Sequence, residues 1–320
     1  MSQSKIEISI VVPIYNEEES VELLNKNLHS VLKKMARPYE CLYVDDGSSD
    51  NTATIVRDMA KADSSIRPIY LRRNFGQTAA LLAGFDHAKG EIIVTLDADM
   101  QNDPKDIPSL IEKIESGYDL VTGWRKNRQD SWIRNFPSLI ANRIISTVTG
   151  VHIRDSGCTL KAYRRDVVVG LQLYGEMHRF IPALASWKGI RLLEIPVSHH
   201  ARKYGKSKYG MSRIFRVILD LFTVKFLLSY SASPIQMFGS IGIGASFLGF
   251  ISLIAAFALK VIQARTLTGN PLFYLFILLQ LIALQLILIG LLAEMIMRIY
   301  YESQNKKTYV MRQEPKLAHT

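Results

Sequence analysis

Acidic residues nearly vanish from the last third of this chain. Beyond residue 200 there are four, Asp220, Glu294, Glu302 and Glu314, against 14 Lys and Arg, whereas residues 1–200 hold 25 of each sign. The whole net charge of +10 therefore belongs to the final 120 residues. Such a patch suits nucleic acid or an anionic membrane. Charge of either sign is then missing altogether between Lys225 and Lys260, and again between Arg265 and Glu294. Each gap is longer than the roughly 20 apolar residues that cross a bilayer, which turns the reading to the membrane and away from nucleic acid. Cysteine is scarce. Cys41 and Cys158 stand far apart, which excludes a disulfide framework and reads as two buried free thiols. The opening MSQSKIEISIVVP lacks the apolar core and cleavage site of a secretory signal. Two nucleotide signatures are also missing. The first apolar run continues as Pro13-Ile14-Tyr15-Asn16 without a G-x-G-x-x-G turn, and no G-x-x-x-x-G-K-[ST] occurs. A dinucleotide dehydrogenase and a P-loop ATPase are thereby excluded.

The charge-free gaps predict two transmembrane helices, about 233–259 and 271–293. Ser240/Gly244 and Gly242/Ser246 have the small-xxx-small spacing that lets helices pack closely, within a hairpin or between copies in a homo-oligomer. The connecting KVIQARTLTGNP carries only Lys260 and Arg265, while basic residues crowd both flanks. The positive-inside tendency predicts a hairpin with both termini cytoplasmic. Just before it, RIFRVILDLFTVKFLL places Arg213, Arg216 and Asp220 on one face and apolar side chains around the rest, as in a helix lying in the membrane interface.

Residues 1–200 alternate apolar runs with helical stretches. ISIVVPI, CLYVDD, IRPIYL, EIIVTLD and DLVTGW are the expected strands; EEESVELLNKNLHSVLKKM, NTATIVRDMAKA, QTAALLAGFDHA and PKDIPSLIEKIES are the expected helices. That rhythm predicts an α/β domain with a mostly parallel sheet, whose ligands bind at the C-terminal strand ends. The motifs gather there: VVPIYNEEES, DDGSSDN, RRNFGQTAALLAG and DADMQ follow the first four strands in turn. In the last, Asp97 and Asp99 end an apolar strand with two like charges. Closely spaced carboxylates can hold a hard divalent cation against phosphate oxygens, and Gln101 offers a further oxygen. His199 and His200 have no carboxylate or thiol at ligand spacing and read as loop histidines. Asp45 and Asp50 have the composition of turn and cap residues.

These motifs, in this order, resemble the polyprenyl-phosphate glycosyltransferases of family 2, inverting enzymes on the GT-A fold. VVPIYNEE, DDGSSD, RNFGQTAALLAG and LDADMQNDP correspond to the donor half, and GWRKNRQDSWIRNFPSLIANR, RDSGCTLKAYRR and RKYGKSKYG to the acceptor half. The resemblance implies a GT-A domain over residues 1–210, interface helices over 211–230, the two transmembrane helices within 231–298 and a tail over 299–320. It implies that Pro13, Tyr15, Glu17 and Asp46, with Asp97, line the nucleoside site. Asp97, Asp99 and Gln101 would hold Mg²⁺ or Mn²⁺ against the donor diphosphate. Arg125, Arg134 and Ser138 would meet the acceptor phosphate, and Arg202, Ser207 and Lys208 would close over both phosphates. Asp155 is either a base or orienting group, or a loop cap paired with Arg154.

The implied reaction passes a sugar from a nucleotide sugar to a polyprenyl phosphate at the cytoplasmic membrane face. The attacking phosphate oxygen is already anionic, so charge stabilisation on the leaving diphosphate matters more than a strong base. Tail architecture and HHARKYGKSKYG are closer to bacterial bactoprenyl glucosyltransferases than to mannosyltransferases, and predict UDP-glucose and undecaprenyl phosphate as substrates. A processive polysaccharide synthase would bring a Q-x-x-R-W motif and more membrane helices, neither present. A non-catalytic sugar-nucleotide-binding scaffold would have no need of an intact Asp97, Asp99, Gln101 and Lys208.

Overall fold

Short, largely apolar runs become the first five strands of one seven-stranded sheet. The computed structural model describes residues 5–126, 150–151, 153–171, 177–186, 189–200, 223–226, 233–263 and 266–303, together with Ser146, Leu173, Gly175, Asp220 and Tyr230. Strands β1 (Ile8–Ile14), β2 (Tyr39–Asp45), β3 (Ile66–Tyr70), β4 (Ile92–Thr95), β5 (Leu120–Arg125), β6 (Lys161–Arg164) and β7 (Leu192–Val197) lie in the order β3-β2-β1-β4-β6-β5-β7. Every pairing is parallel except those of β6, which runs antiparallel to β4 and β5. The five expected strands and four expected helices all form; β6 and β7 are additions.

Parallel neighbours need crossovers, and α1 (Val21–Met35), α2 (Thr52–Ala62), α3 (Gln77–His87) and α4 (Ile107–Glu115) supply them. Val21, Leu24, Leu28 and Leu32 make one buried stripe on α1, at the helical spacing that faces a core. They join Ile8, Ile10 and Val12 of β1 and Val94 of β4 in the main core. Over the sheet, α3 lies close to β1: a Cβ added to Gly84 would stand 2.2 Å from Val11 Cγ1. That approach brings the N-terminus of α3 beside the end of β4.

The chain divides into two compact units, Met1–Val224 and Lys225–Thr320. The second contains helices Pro234–Gln263 and Pro271–Ser303. Each opens on a proline, which a first helical turn accepts without losing a bond, and Asn270 Oδ1 caps the second by accepting from Leu272 N at 3.0 Å. Pro234–Ile262 and Pro271–Met297 are long and apolar enough to cross a membrane. The second helix runs ten residues past the expected end at 293, because a charge-free gap delimits a span and not the helix that carries it. The stretch 211–230 is described only at Asp220, residues 223–226 and Tyr230, so most of the expected interface helix lies outside the described residues.

The hairpin is held by small residues and by polar pairs. A Cβ on Gly242 would meet Ala283 O at 3.0 Å, and one on Gly249 would meet Gln280 Nε2 at 2.8 Å. Between them, Ser246 Oγ donates to Gln280 Oε1 at 2.9 Å, and Gln280 Nε2 donates to Ser246 O at 3.0 Å. Ser252 Oγ donates to Leu272 O at 2.7 Å. Of the two expected small-residue pairs, Gly242/Ser246 lies in this contact. Ser240/Gly244 does not: Gly244 has nothing within 4 Å of an added Cβ, and Ser240 bonds Met237 O of its own helix. A turn of about 100° per residue carries positions 240 and 244 off the 242/246/249 line.

Candidate active site

The C-terminal strand ends are joined by hydrogen bonds that pass from one loop to the next. After β1, Asn16 takes a left-handed conformation, φ 52°, which Asn tolerates better than most residues. Its backbone N–H donates to Ser48 Oγ at 2.9 Å and its Oδ1 accepts from Ser49 N at 2.8 Å. Glu17 N donates to Thr52 Oγ1 at 2.8 Å, and the Glu17 carboxylate accepts from Ser20 Oγ at 2.7 Å. Asp45 accepts from Ser48 N, and Asp50 from Thr52 N and Glu18 N, so these two act as turn and cap groups. Pro13 lies within β1 and Tyr15 directly follows it, both half-buried.

Asp46 carries the rim onward. Its two carboxylate oxygens accept from Phe75 N at 2.7 Å and Gly76 N at 2.9 Å, clamping the loop that leads into α3. Burial pushes its carboxyl up, against the pull of those two amides. Gly47 makes the close approach possible: φ is +70°, and an added Cβ would stand 2.4 Å from the backbone carbon of Arg73. From the first residue of α3, Gln77 Nε2 donates to Asp97 Oδ1 at 2.8 Å.

Asp97 is half-buried and Asp99 buried. The Asp97 carboxyl is pushed up to about 7, first by burial and then by the Asp99 charge, with Thr159, Lys161 and Arg125 opposing. Asp99 Oδ1 accepts from Gln101 N at 3.1 Å, across Met100 at φ 61°. The turn is moored to the far side of the sheet: Asn102 bridges His199, His200 N donates to Gln101 O at 2.8 Å, and Ser198 N donates to Asp106 Oδ2 at 2.6 Å. The two histidines thus lie in a loop bonded through its backbone to the D-x-D turn, with His200 Nε2 3.4 Å from Asp103 Oδ2.

Beside it lies a buried charge cluster. Arg125 at the end of β5 holds Asp155 with both arms of its fork, Nε at 2.6 Å and Nη2 at 2.8 Å. Such a bidentate pair is strong and directional. Asp155 therefore pairs with Arg125 and not with Arg154. The Arg154 guanidinium instead stacks 4.5 Å over Trp124, and Glu194 accepts the backbone N–H groups of Arg154 and Asp155. Lys161, at the start of β6, is buried and donates to the carbonyls of Cys158 and Ser156. Burial holds its ammonium below the ordinary lysine range, while Cys158, Asp155 and Asp97 pull it back up.

Asp97, Asp99, Gln101, Arg125 and Asp155 thus gather at neighbouring strand ends, with Glu17 and Asp46 bracing the adjoining loops. Arg134, Ser138, Arg202, Ser207 and Lys208 lie outside the described residues. Sequence reasoning missed Gln77, Thr159 and Lys161. Lys161 carried a readable signal, a single charge between Leu160 and Ala162 in an apolar run, the same signal that drew attention to Asp97.

Residues 9–170 match the family model described as Glycosyl transferase family 2. A dodecaprenyl-phosphate galacturonate synthase of Rhizobium johnstonii is 44% identical over 313 residues, covering 96% of this chain and 93% of that protein. An undecaprenyl-phosphate 4-deoxy-4-formamido-L-arabinose transferase of Aeromonas hydrophila subsp. hydrophila is 36% identical, with 98% and 95% covered. Among solved structures, a glucosyl-3-phosphoglycerate synthase from Mycobacterium tuberculosis, in complex with Mn²⁺, UDP and phosphoglyceric acid, superposes with a TM-score of 0.54 at 17% identity, over 70% of this chain and 78% of its own. The last likeness is one of fold, a GT-A-like α/β domain. With a family match across the strand-end rim and relatives along nearly its whole length, the chain belongs to glycosyl transferase family 2 and is a glycosyltransferase.

Proposed function

We propose that this enzyme transfers a sugar from a nucleotide-sugar donor to a polyprenyl phosphate, at a membrane that its apolar hairpin crosses. The observation that carries the reading is the coincidence of a D-x-D turn at the sheet's ligand end with two apolar helices of bilayer length. Both curated relatives are named for a polyprenyl-phosphate acceptor. A polyprenyl chain leaves a bilayer at a cost of about 0.8 kcal/mol per CH₂, so the enzyme must come to the lipid, and the hairpin localises it there. We place the catalytic domain over 1–210 and both termini on the cytoplasmic side.

Neither relative is named for glucose. Galacturonate, the sugar of the relative at 44% identity, replaces glucose as the first donor to test. Asp97, Asp99 and Gln101 offer hard oxygen donors at one turn, and the burial and then the Asp99 charge that lift Asp97 suit a divalent cation between the carboxylates and a diphosphate. When bound, Mg²⁺ or Mn²⁺ would neutralise charge growing on the leaving diphosphate. Gln77 fixes the Asp97 carboxylate through its hydrogen bond, and Asp46 holds the loop from which Gln77 projects. With Arg125 committed to Asp155, the carboxylate is an orienting group and not a free base. Contact with the acceptor phosphate then falls to Arg134, Ser138, Arg202, Ser207 and Lys208, and the nucleoside to the β1 end at Pro13 and Tyr15.

The test is incubation of membranes containing the full chain with undecaprenyl phosphate and a panel of labelled UDP-sugars. Label entering the lipid extract from UDP-galacturonate supports the whole reading. Label from UDP-glucose alone supports the reaction and overturns the sugar. A long polymer, or no lipid-extractable label from any donor, overturns the reaction.

A further inference from the structure

The two apolar helices satisfy their polar side chains almost completely within the hairpin. Ser246 and Gln280 bond each other, Ser252 bonds Leu272 O, and Asn270 reaches Ala256 O at 3.5 Å. Away from the ends of the spans, where Gln236 and Tyr274 are also exposed, Gln285 is the exception. It sits near the middle of the Pro271–Met297 span, is exposed, and makes no hydrogen bond among the described residues. An amide facing hydrocarbon at that depth has no water to bond, and polar groups left so are costly.

The surroundings of Gln285 have a period. Leu278, Leu281, Leu288 and Leu292 stand with it at alternating steps of three and four, on the outer side of the helix, with exposures of 54%, 55%, 55% and 59%. Steps of three and four keep a seam facing a second helix along its length, and a single polar residue in such a seam sets register. A primary amide both donates and accepts. It is therefore self-complementary: two copies related by a two-fold axis through Gln285 bring identical amides to the same depth, each donating to the other. A different membrane protein would need its own polar group at that depth, while a second copy of this chain has it by construction.

We propose that the enzyme forms a homodimer in the membrane through the Leu278–Leu292 face of its second apolar helix, with the two Gln285 amides hydrogen-bonded at the centre of the interface. This inference rests on the reading of the hairpin as membrane-inserted. The face is distinct from the one that packs on the first helix, so the hairpin and the dimer form without competing for residues.

The experiment uses the full chain in native membranes and in reconstituted vesicles. Cys41 and Cys158 are buried, so an added cysteine is the exposed thiol among the described residues. Leu281→Cys should give an oxidative cross-link of two chain masses, and Ile254→Cys, on the lipid-facing side of the first helix, should not. In vesicles with donor and acceptor fluorophores on separate copies, Gln285→Leu should weaken association about three- to tenfold, the range interhelical hydrogen bonds support, while Gln285→Asn should retain most of it. Equal cross-linking of Leu281→Cys and Ile254→Cys, a Leu281→Cys product containing a different protein, or Gln285→Leu associating as tightly as wild type overturns the dimer and leaves the membrane reading standing. Release of the wild-type chain from membranes by alkaline carbonate overturns the membrane reading, and the dimer with it.

Discussion

The two units of this protein meet the same requirement, that a polar group out of water must find a partner, with opposite results. In the catalytic unit, polar side chains are dense at the strand ends and bond between loops: Asn16 to Ser49, Asp46 to Phe75 and Gly76, Gln77 to Asp97. In the hairpin they are sparse, and the Ser246–Gln280 pair, with Ser252 to Leu272 O, does the equivalent task. The rim uses pairing to assemble a charged site; the hairpin uses it to fix how two helices register. Density of polar pairing therefore marks where chemistry resides, and isolated pairing marks where geometry is being set.

The comparison breaks most visibly if the rim is only structural. Asp99→Ala should lower transfer by about 10²–10³-fold, the effect of removing one group that stabilises developing charge, with the protein still folded and membrane-bound. Chelation with EDTA should do the same to wild type, reversed by excess Mg²⁺ or Mn²⁺. Asp99→Ala at full activity in EDTA would remove the turn from the mechanism. Next in size, Arg125→Met strands a buried carboxylate at Asp155 and should cost about 3–5 kcal/mol, read as a lower thermal midpoint. Pairing it with Asp155→Leu should recover part of that loss. A fall under about 1 kcal/mol in the single variant would show that Asp155 finds another cation.

A pH series sharpens the electrostatics of the rim. Asp97 keeps its proton up to about pH 7 in the fold, while an unfolded aspartate loses it at about pH 3.9. The folded state then binds more protons in that interval, so stability falls as pH rises through it and the penalty is complete above pH 7. Asp97→Asn should flatten that dependence, raising the thermal midpoint at pH 8 relative to wild type and not at pH 4. Parallel curves for the two proteins would refute the assignment. The smallest effect belongs to the hairpin. Gln280→Leu should cost about 0.6 kcal/mol, the average of interhelical hydrogen bonds in membranes, measured by unfolding in detergent with activity retained.

The strands and helices of the catalytic unit were legible because buried parallel strands read as apolar runs. β6 and β7 were not. KAYR is four residues with a charge at each end, and LLEIPV holds Glu194 and Pro196. Proline is tolerated there because β7 is the last strand of the sheet, where a missing donor leaves no ladder partner unpaired. Asp97 and Asp99 were legible as charges where a strand should end in apolar packing. The partners that set their behaviour were not: Gln77 lies 20 residues from Asp97, and Asp46 reaches Phe75 across 29. Local pattern carries no information on which distant amide a carboxylate will clamp. The Arg125–Asp155 pair illustrates the consequence, since nothing in either motif indicates that the two charges, 30 residues apart, will pair.

The Ser246–Gln280 pair also bears on how the chain is made. Helix Pro234–Gln263 leaves the ribosome first, and the second helix carries glutamines at 280 and 285. A segment entering lipid with both amides bare inserts at a disadvantage. The earlier helix offers Ser246 to the first of them, so on the proposed membrane reading it would act as an intramolecular insertion aid for the later one. A chain deprived of its first apolar helix should consequently insert its second one poorly, however apolar that helix is by composition.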